Sequence, residues 1–254
     1  MKVTFLGTGT SQGVPVIGCP CEVCQSTDAR DKRLRTSTLV EIDDKIFVID
    51  VGPDFRQQLL REKVSKVTAI LITHEHNDHI IGMDDVRPLN FLHRKSISVF
   101  AEKRVQISLK ERFSYIFDKN PYPGAPRLDL KTINPDAPIL IGNTQILPIR
   151  VWHGKLPVLG FRFGDFAYLT DMNKIEASEL EKLKGLKLLA LDALHHSEHH
   201  SHFNLTQALE LIKTVQPQQS YLIHISHRMG LTAEINTSLP KDVALAYDGL
   251  VVRL

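Results

Sequence analysis

The residues best equipped for chemistry crowd into one short segment, His74-Glu75-His76-Asn77-Asp78-His79. Three imidazoles and a carboxylate packed this closely are costly to fold unless a cation sits between them. The segment follows directly on the apolar run Ala69-Ile70-Leu71-Ile72, so its donors emerge at the carboxyl end of an expected strand. The spacing H-x-H-x-D-H lets His74 and His76 point the same way off extended chain, while Asp78 and His79 turn back toward a neighbouring position. Imidazole together with carboxylate suits Zn, Mn or Fe. Four donors in one turn can serve two ions if later residues complete both shells. Candidates stand at later strands: His153 after Ile149–Trp152, Asp171 after Tyr168–Thr170, and His224 inside Leu222–Ile225. Each alone is a weak signal. Together they make a two-metal site the better account.

A second group of donors lies near the amino terminus. The three cysteines, an odd number, are Cys19, Cys21 and Cys24, which points away from a disulfide framework and toward metal. A redox pair at Cys21 and Cys24 is disfavoured by the third cysteine and by the lack of a following thioredoxin-like βαβ pattern. The chain has twelve histidines, most of them clustered. In the last cluster His195, His196, His199 and His200 have no assigned role; the polyhistidine character suits a solvated loop that binds metal adventitiously. His93 reads as structural or surface.

Two glycine patterns are set aside. Gly9-x-Ser11-x-Gly13 fits a nucleophile elbow, and Gly7-x-Gly9-x-x-x-Gly13 approaches a dinucleotide fingerprint. Both require a helix next, which Val14-Pro-Val-Ile-Gly-Cys-Pro20 cannot supply. These glycines are expected to shape a tight loop near the metals.

Such donors need strands to hold them. Apolar runs bounded by Gly, Pro or Asp predict strands at Val3–Leu6, Leu39–Ile42, Ile46–Ile49, Thr68–Thr73, Ser98–Ala101, Thr144–Val151, Leu159–Phe163, Phe166–Thr170, Leu186–Leu191, Tyr221–Ile225 and Leu250–Val252. Asp43-Asp44 and Gly164-Asp165 are expected turns. Helices are expected over Phe55–Lys63 with Asp54 as cap, over Val105–Phe117, and from Asn204 to the stop at Pro217. Many strands with interspersed helices, lacking strict βαβ alternation, predict an α/β fold of two mixed sheets with helices outside. The Pro-rich stretch Asn120–Pro126 reads as a surface loop.

With 43% hydrophobic and 24% charged residues, the 254-residue chain is no collagen, coiled coil or disordered polymer, and residues 1–254 are expected to form one domain. A net charge of +2 argues neither for nor against nucleic acid. Glycine arrives at position 7 before a signal-peptide apolar core forms, and no apolar run approaches the roughly 20 residues of a membrane span. The expectation is a soluble, cytoplasmic protein with no membrane partner.

The set His74-x-His76-x-Asp78-His79, His153, Asp171 in a Leu-Thr-Asp context and His224 resembles the metallo-β-lactamase superfamily over nearly the whole chain, including Gly7-Thr-Gly9 and Asp50-Val-Gly52. The resemblance implies an αβ/βα four-layer sandwich with a dinuclear site at the sheet edges. His74, His76 and His153 would hold one divalent ion and Asp78, His79 and His224 the other. Asp171 would bridge them, and Asp50 would support a ligand from behind. Cys19-Pro-Cys21-x-x-Cys24 and the pair His224-Ile-Ser-His227 narrow the match toward the phosphoribosyl cyclic phosphodiesterases of phosphonate degradation. That family implies a separate structural zinc on Cys19, Cys21, Cys24 and His227. A Cys₃His set is a closed tetrahedral site, and it would contribute on the order of 10 kcal/mol to folding by analogy with zinc fingers. The same resemblance matches His202 to a histidine proposed to assist catalysis, and His195 to a position of unclear role.

The expected reaction is hydrolysis of a small, ribosyl cyclic or related phosphate ester by a metal-bridging hydroxide, with Asp78 and His202 as catalytic residues and His202 as proton donor. Two alternatives are a tRNA 3′-processing endonuclease, for which no RNA-gripping basic arm is visible, and a non-catalytic metal-binding protein, in which Asp171 would be superfluous. Nucleic acid is thus not the favoured partner. A homodimer is what the resemblance implies.

Overall fold

The computed structural model describes all 254 residues. The strands in chain order are β1 (Lys2–Gly7), β2 (Ser37–Ile42), β3 (Lys45–Ile49), β4 (Ala69–Leu71), β5 (Ile97–Ala101), β6 (Leu128–Thr132), β7 (Ile139–Ile141), β8 (Thr144–His153), β9 (Leu156–Phe163), β10 (Phe166–Leu169), β11 (Lys174–Ile175), β12 (Leu188–Asp192), β13 (Gln219–Ile223), β14 (Val243–Leu245) and β15 (Val251–Arg253). The helices are α1 (Glu22–Gln25), α2 (Phe55–Arg61), α3 (Asn77–Ile80), α4 (Arg87–His93), α5 (Lys103–Arg112), α6 (Ala177–Leu180), α7 (Leu205–Val215) and α8 (Thr232–Ser238).

Two sheets result. One runs β15-β1-β2-β3-β4-β5-β6; the other runs β11-β8-β9-β10-β12-β13-β14, with β7 paired to β8. In each, hairpins build one side and parallel strands the other: β3 through β6 are parallel, as are β10, β12, β13 and β14. The two-residue turns Asp43-Asp44 and Gly164-Asp165 close hairpins, with Asp43 and Gly164 in the left-handed region that such turns demand.

Apolar burial sorts into three layers. Phe5, Phe47, Ile49 and Leu71 of the first sheet meet Leu159, Phe161, Phe163 and Tyr168 of the second, and all are fully buried. The outer face of the first sheet packs Val48, Ile70 and Val99 against Phe55, Leu89 and Val105 of α2, α4 and α5. The outer face of the second packs Leu189, Leu191 and Leu222 against Ala208, Leu211 and Ile212 of α7. Helix, sheet, sheet, helix is the αβ/βα sandwich. No helix is long and apolar enough to cross a membrane.

The sheets are stitched where the parallel strands end. Leu159 N donates to Thr73 O at 3.1 Å on one side; Thr10 N donates to Ile225 O at 3.1 Å, and Ile225 N to Thr8 O at 2.9 Å, on the other. These bonds hold the loops after β1, β4 and β13 on a common rim.

The expected helix over Phe55–Lys63 forms, but Asp54 does not cap it. Its carboxylate instead accepts from Arg35 N at 2.8 Å and from the Arg35 guanidinium, a charged partner that outcompetes the helix amides. Asn204 does cap α7, with Gln207 completing a capping box. The expected strand Thr68–Thr73 shortens to β4, because Thr73 N turns to the Asp50 carboxylate instead of a neighbouring strand.

Candidate metal centre

Asp50, immediately after β3, is fully buried and accepts from Thr73 N at 2.9 Å, Thr73 Oγ1 at 2.8 Å and His79 Nδ1 at 2.7 Å. Thr73 Oγ1, having given its proton to Asp50, accepts from His74 Nδ1 at 3.0 Å. One carboxylate thereby fixes two imidazoles with Nδ1 protonated and Nε2 turned outward. His153, closing β8, is set the same way by Ser201 O at 2.8 Å. His202 is set by Asp192 Oδ2 at 3.2 Å.

The freed atoms converge on Asp171, at the end of β10. His79 Nε2 and His224 Nε2 lie 3.3 and 3.1 Å from Asp171 Oδ1, and His74 Nε2 lies 3.7 Å from Asp171 Oδ2. Asp78 Oδ2 stands 3.3 Å from His79 Nε2 and 3.7 Å from His224 Nε2. The His76 ring is 4.5 Å from His74 and 5.1 Å from His153. Donor atoms group as Asp78, His79, Asp171 and His224; as His74, His76 and Asp171; and as His153, Asp171 and His202, each group within 4.8 Å. The structure therefore gathers His74, His76, Asp78, His79, His153 and His224 around the carboxylate of Asp171, with His202 beside them.

A test of fit comes from unused donors. Nε2 of His74, of His79 and of His224 is buried and without a hydrogen-bond partner. Buried polar atoms left unpaired are expensive, and three facing the same carboxylate describe a place prepared for cations. The residues present fit divalent metal.

Electrostatics agree. Burial pushes His74 and His153 down, keeping them in the neutral, ligating form. Burial opposes charge on Asp171 and Asp78, yet the facing imidazoles hold both carboxyls below their usual range. Burial also opposes charge on His79, but Asp171, Asp78 and Asp50 together pull it well up, so positive charge is favoured where these carboxylates meet. Burial likewise opposes charge on His202, which Asp192 nevertheless lifts to about 9.

Two local features shape the rim. Asp50, Asp171 and His224 all adopt left-handed backbone, with φ of 62°, 50° and 55°, turning each strand end inward. Gly52 lies so close to Asp78 that an added Cβ would meet the Asp78 carbonyl oxygen at 2.1 Å, so only glycine allows the metal turn to seat there.

Cys19, Cys21, Cys24 and His227 form a separate group of donors within 4.8 Å. Cys19 Sγ and Cys21 Sγ are each 3.3 Å from His227 Nδ1. The backbone N–H of Cys24, then the His227 side chain, draw Cys21 down to about 6, whereas burial pushes Cys24 up to about 11. Among the remaining histidines, His195 is buried, His196 Nε2 donates to Met229 O at 2.8 Å, His200 is exposed, and exposed His93 donates to Ser65 O at 2.6 Å. Asp192 escapes a reading by motif. It is fully buried, holds His202, receives Met172 N at 3.0 Å and lies 3.6 Å from His224 Nδ1. The signal available was a carboxylate terminating the fully apolar run Leu186–Leu191 but for Lys187.

A family model described as "Beta-lactamase superfamily domain" matches residues 45–225. The chain belongs to that superfamily. Its architecture is that of the superfamily's metal-dependent hydrolases. A crystal structure described as a new diphosphatase from the PhnP family superposes with a TM-score of 0.93 and 40% identity, covering 99% of this chain and 96% of that one. Zn(2+)-bound PqqB from Methylobacterium extorquens, at TM-score 0.79 and 15% identity over the full length of both chains, shares the fold. A protein of Porphyromonas gingivalis (strain ATCC BAA-308 / W83) named octanoyltransferase is 44% identical over 252 residues, 98% of this chain and 51% of its own length. A Ribonuclease Z of Staphylococcus aureus (strain JH9) is 31% identical over 121 residues, 42% of this chain and 35% of its own. The chain thus spans about half, or less, of the length of the curated relatives it matches.

Proposed function

We propose that the chain is a metal-dependent phosphodiesterase acting on a small phosphate ester, a ribosyl cyclic phosphate being the favoured class. The observation that carries this reading is the convergence of three unpartnered imidazole Nε2 atoms on Asp171, with His202 poised beside them. The 40% identity to a PhnP-family diphosphatase over nearly the whole chain supports a phosphate ester as substrate.

His74, His76 and His153 would hold one divalent ion, Asp78, His79 and His224 a second, and Asp171 both. Bound ions of Zn, Mn or Fe would supply Lewis acidity toward phosphate oxygens and lower the pKa of water. Asp78, partly open to solvent, orients the attacking water through its free carboxylate oxygen. His202 keeps Nδ1 on Asp192, so its Nε2 carries the proton that the leaving alkoxide needs; the Asp192 carboxylate keeps that imidazole charged. Asp50 holds His79 and, through Thr73, His74 in their ligating tautomers. Cys19, Cys21, Cys24 and His227 would hold one structural zinc apart from the reaction.

Metal content and turnover test this together. Three ions per chain are expected, with faster cleavage of a ribosyl cyclic phosphate than of bis(p-nitrophenyl) phosphate. A metal-loaded protein that cleaves neither overturns the proposal. The partial likeness to Ribonuclease Z favours a second reading, tRNA 3′ processing, and precursor-tRNA cleavage at low salt would establish it.

A further inference from the structure

Of the imidazoles gathered round Asp171, those of His74, His79 and His153 are aimed by hydrogen bonds from behind. His224 Nδ1 faces Asp192 at 3.6 Å. His76 differs: it is exposed, and no hydrogen bond reaches its ring. Whatever fixes it must act through the chain that carries it.

Glu75 supplies that hold. Standing between two ligands in sequence, its carboxylate pairs with the Arg104 guanidinium through Nη1. The same guanidinium donates through Nη2 to Pro157 O, and Pro157 lies opposite Trp152, the neighbour of His153, in the β8–β9 hairpin. Arg104 thus spans from the turn carrying His74 and His76 to the hairpin carrying His153, one from each sheet. Glu102 backs it: Oε2 lies 3.5 Å from Arg104 Nη2, and Oε1 lies 3.0 Å from Arg150 Nη2 on β8.

Helix stability does not account for these placements. Arg104 stands in the first turn of α5, where the helix dipole disfavours a cation. Glu102 occupies the N-cap position, yet its carboxylate turns to two arginines and caps no amide. Both side chains leave their local roles for contacts that join the sheets.

We propose that Arg104 is a positioning residue for the site formed by His74, His76 and His153, clamping the His76 turn to the His153 hairpin. The inference rests on the two-ion reading of the centre and adds to it the device that sets one half. Without the clamp His76 loosens and the Glu75 carboxylate is released beside the ligands, whereas His79 keeps its bond to Asp50.

Chelator competition tests this without turnover. Zinc-loaded protein is titrated with nitrilotriacetate, and zinc per chain is read at each free-metal level. Arg104→Met is expected to weaken one ion about 10-fold or more and leave the others within about 2-fold, with Arg104→Lys recovering part of the loss. Glu75→Ala opens the clamp from the other end, is expected to weaken the same ion, and decides the matter if Arg104→Met does not fold. On a His76→Ala background, where that ion has already lost a ligand, Arg104→Met is expected to add less than about 2-fold. A loss spread evenly over all ions marks a merely structural arginine and overturns the proposal. So does full zinc affinity in Arg104→Met, with three ions in the wild type leaving the two-ion reading intact. A wild type that holds no ion at the Asp171 centre overturns that reading and the clamp with it.

Discussion

The chain carries two clusters of metal-type donors, and they are built on opposite plans. Around Asp171 the donors come from four separate strand ends, with His74, His79 and His153 aimed by hydrogen bonds from behind, and the group keeps exposed His76 and half-buried Asp78 at its mouth. Around His227 three sulfurs from one short loop meet a single imidazole, with Val14 and Val23 packed behind them. On the proposed reading, the first plan would leave room for substrate and water, and the second would close its shell around one zinc. Composition follows the same division: the first cluster mixes buried carboxylates with imidazoles, while the second has no carboxylate and offers three sulfurs, of which Cys21 is drawn down to about 6.

The contrast can be broken most forcefully at Asp171. Asp171→Ala should lower kcat by about 1,000-fold or more while the protein keeps its fold and the ion proposed for the cysteine cluster, as read by steady-state kinetics and metal analysis. Retained activity would mean that the carboxylate at the centre of the first cluster is dispensable. His202→Ala should cost about 100-fold to 10,000-fold in kcat with unchanged metal content, the range for losing a general acid; a matching loss on a substrate with a leaving group as good as p-nitrophenol would argue against that role. Asp50→Asn touches no metal, yet should weaken metal affinity about 10-fold to 100-fold by loosening His79 and His74, measured by competition with a chelator.

At the other cluster the effect should move from rate to stability. Cys24→Ser should remove one ion per chain and lower the melting temperature by about 10 °C or more, while activity assayed well below that temperature stays within a few-fold of wild type. An inactive yet fully stable Cys24→Ser protein would overturn that division of labour between the clusters.

Much of this was legible in the chain itself. The H-x-H-x-D-H run announces its chemistry because no fold needs it otherwise, and the strand-length apolar runs place it correctly at a β carboxyl end. The elements that leave no readable pattern have physical causes. β6 is half polar because it is the edge of its sheet, and β7, β11 and β14 are too short to show a period. Helices α1, α3 and α6 are single turns held by tertiary contacts rather than by propensity. Asp192 acts only through His202 and His224, and a residue that works from behind others leaves no spacing to read. The resemblance supplied what spacing could not: which of the scattered histidines belong together.

Three non-glycine residues at the rim hold positive φ. Each non-glycine residue in that conformation costs on the order of 1 kcal/mol. Asp50, Asp171 and His224 therefore keep the rim cocked like a spring for as long as the chain is folded. A glycine at any of them would relax the backbone and delete the group that matters. Selecting this protein for heat resistance alone should thus collect glycines at these three positions, trading reactivity for ease.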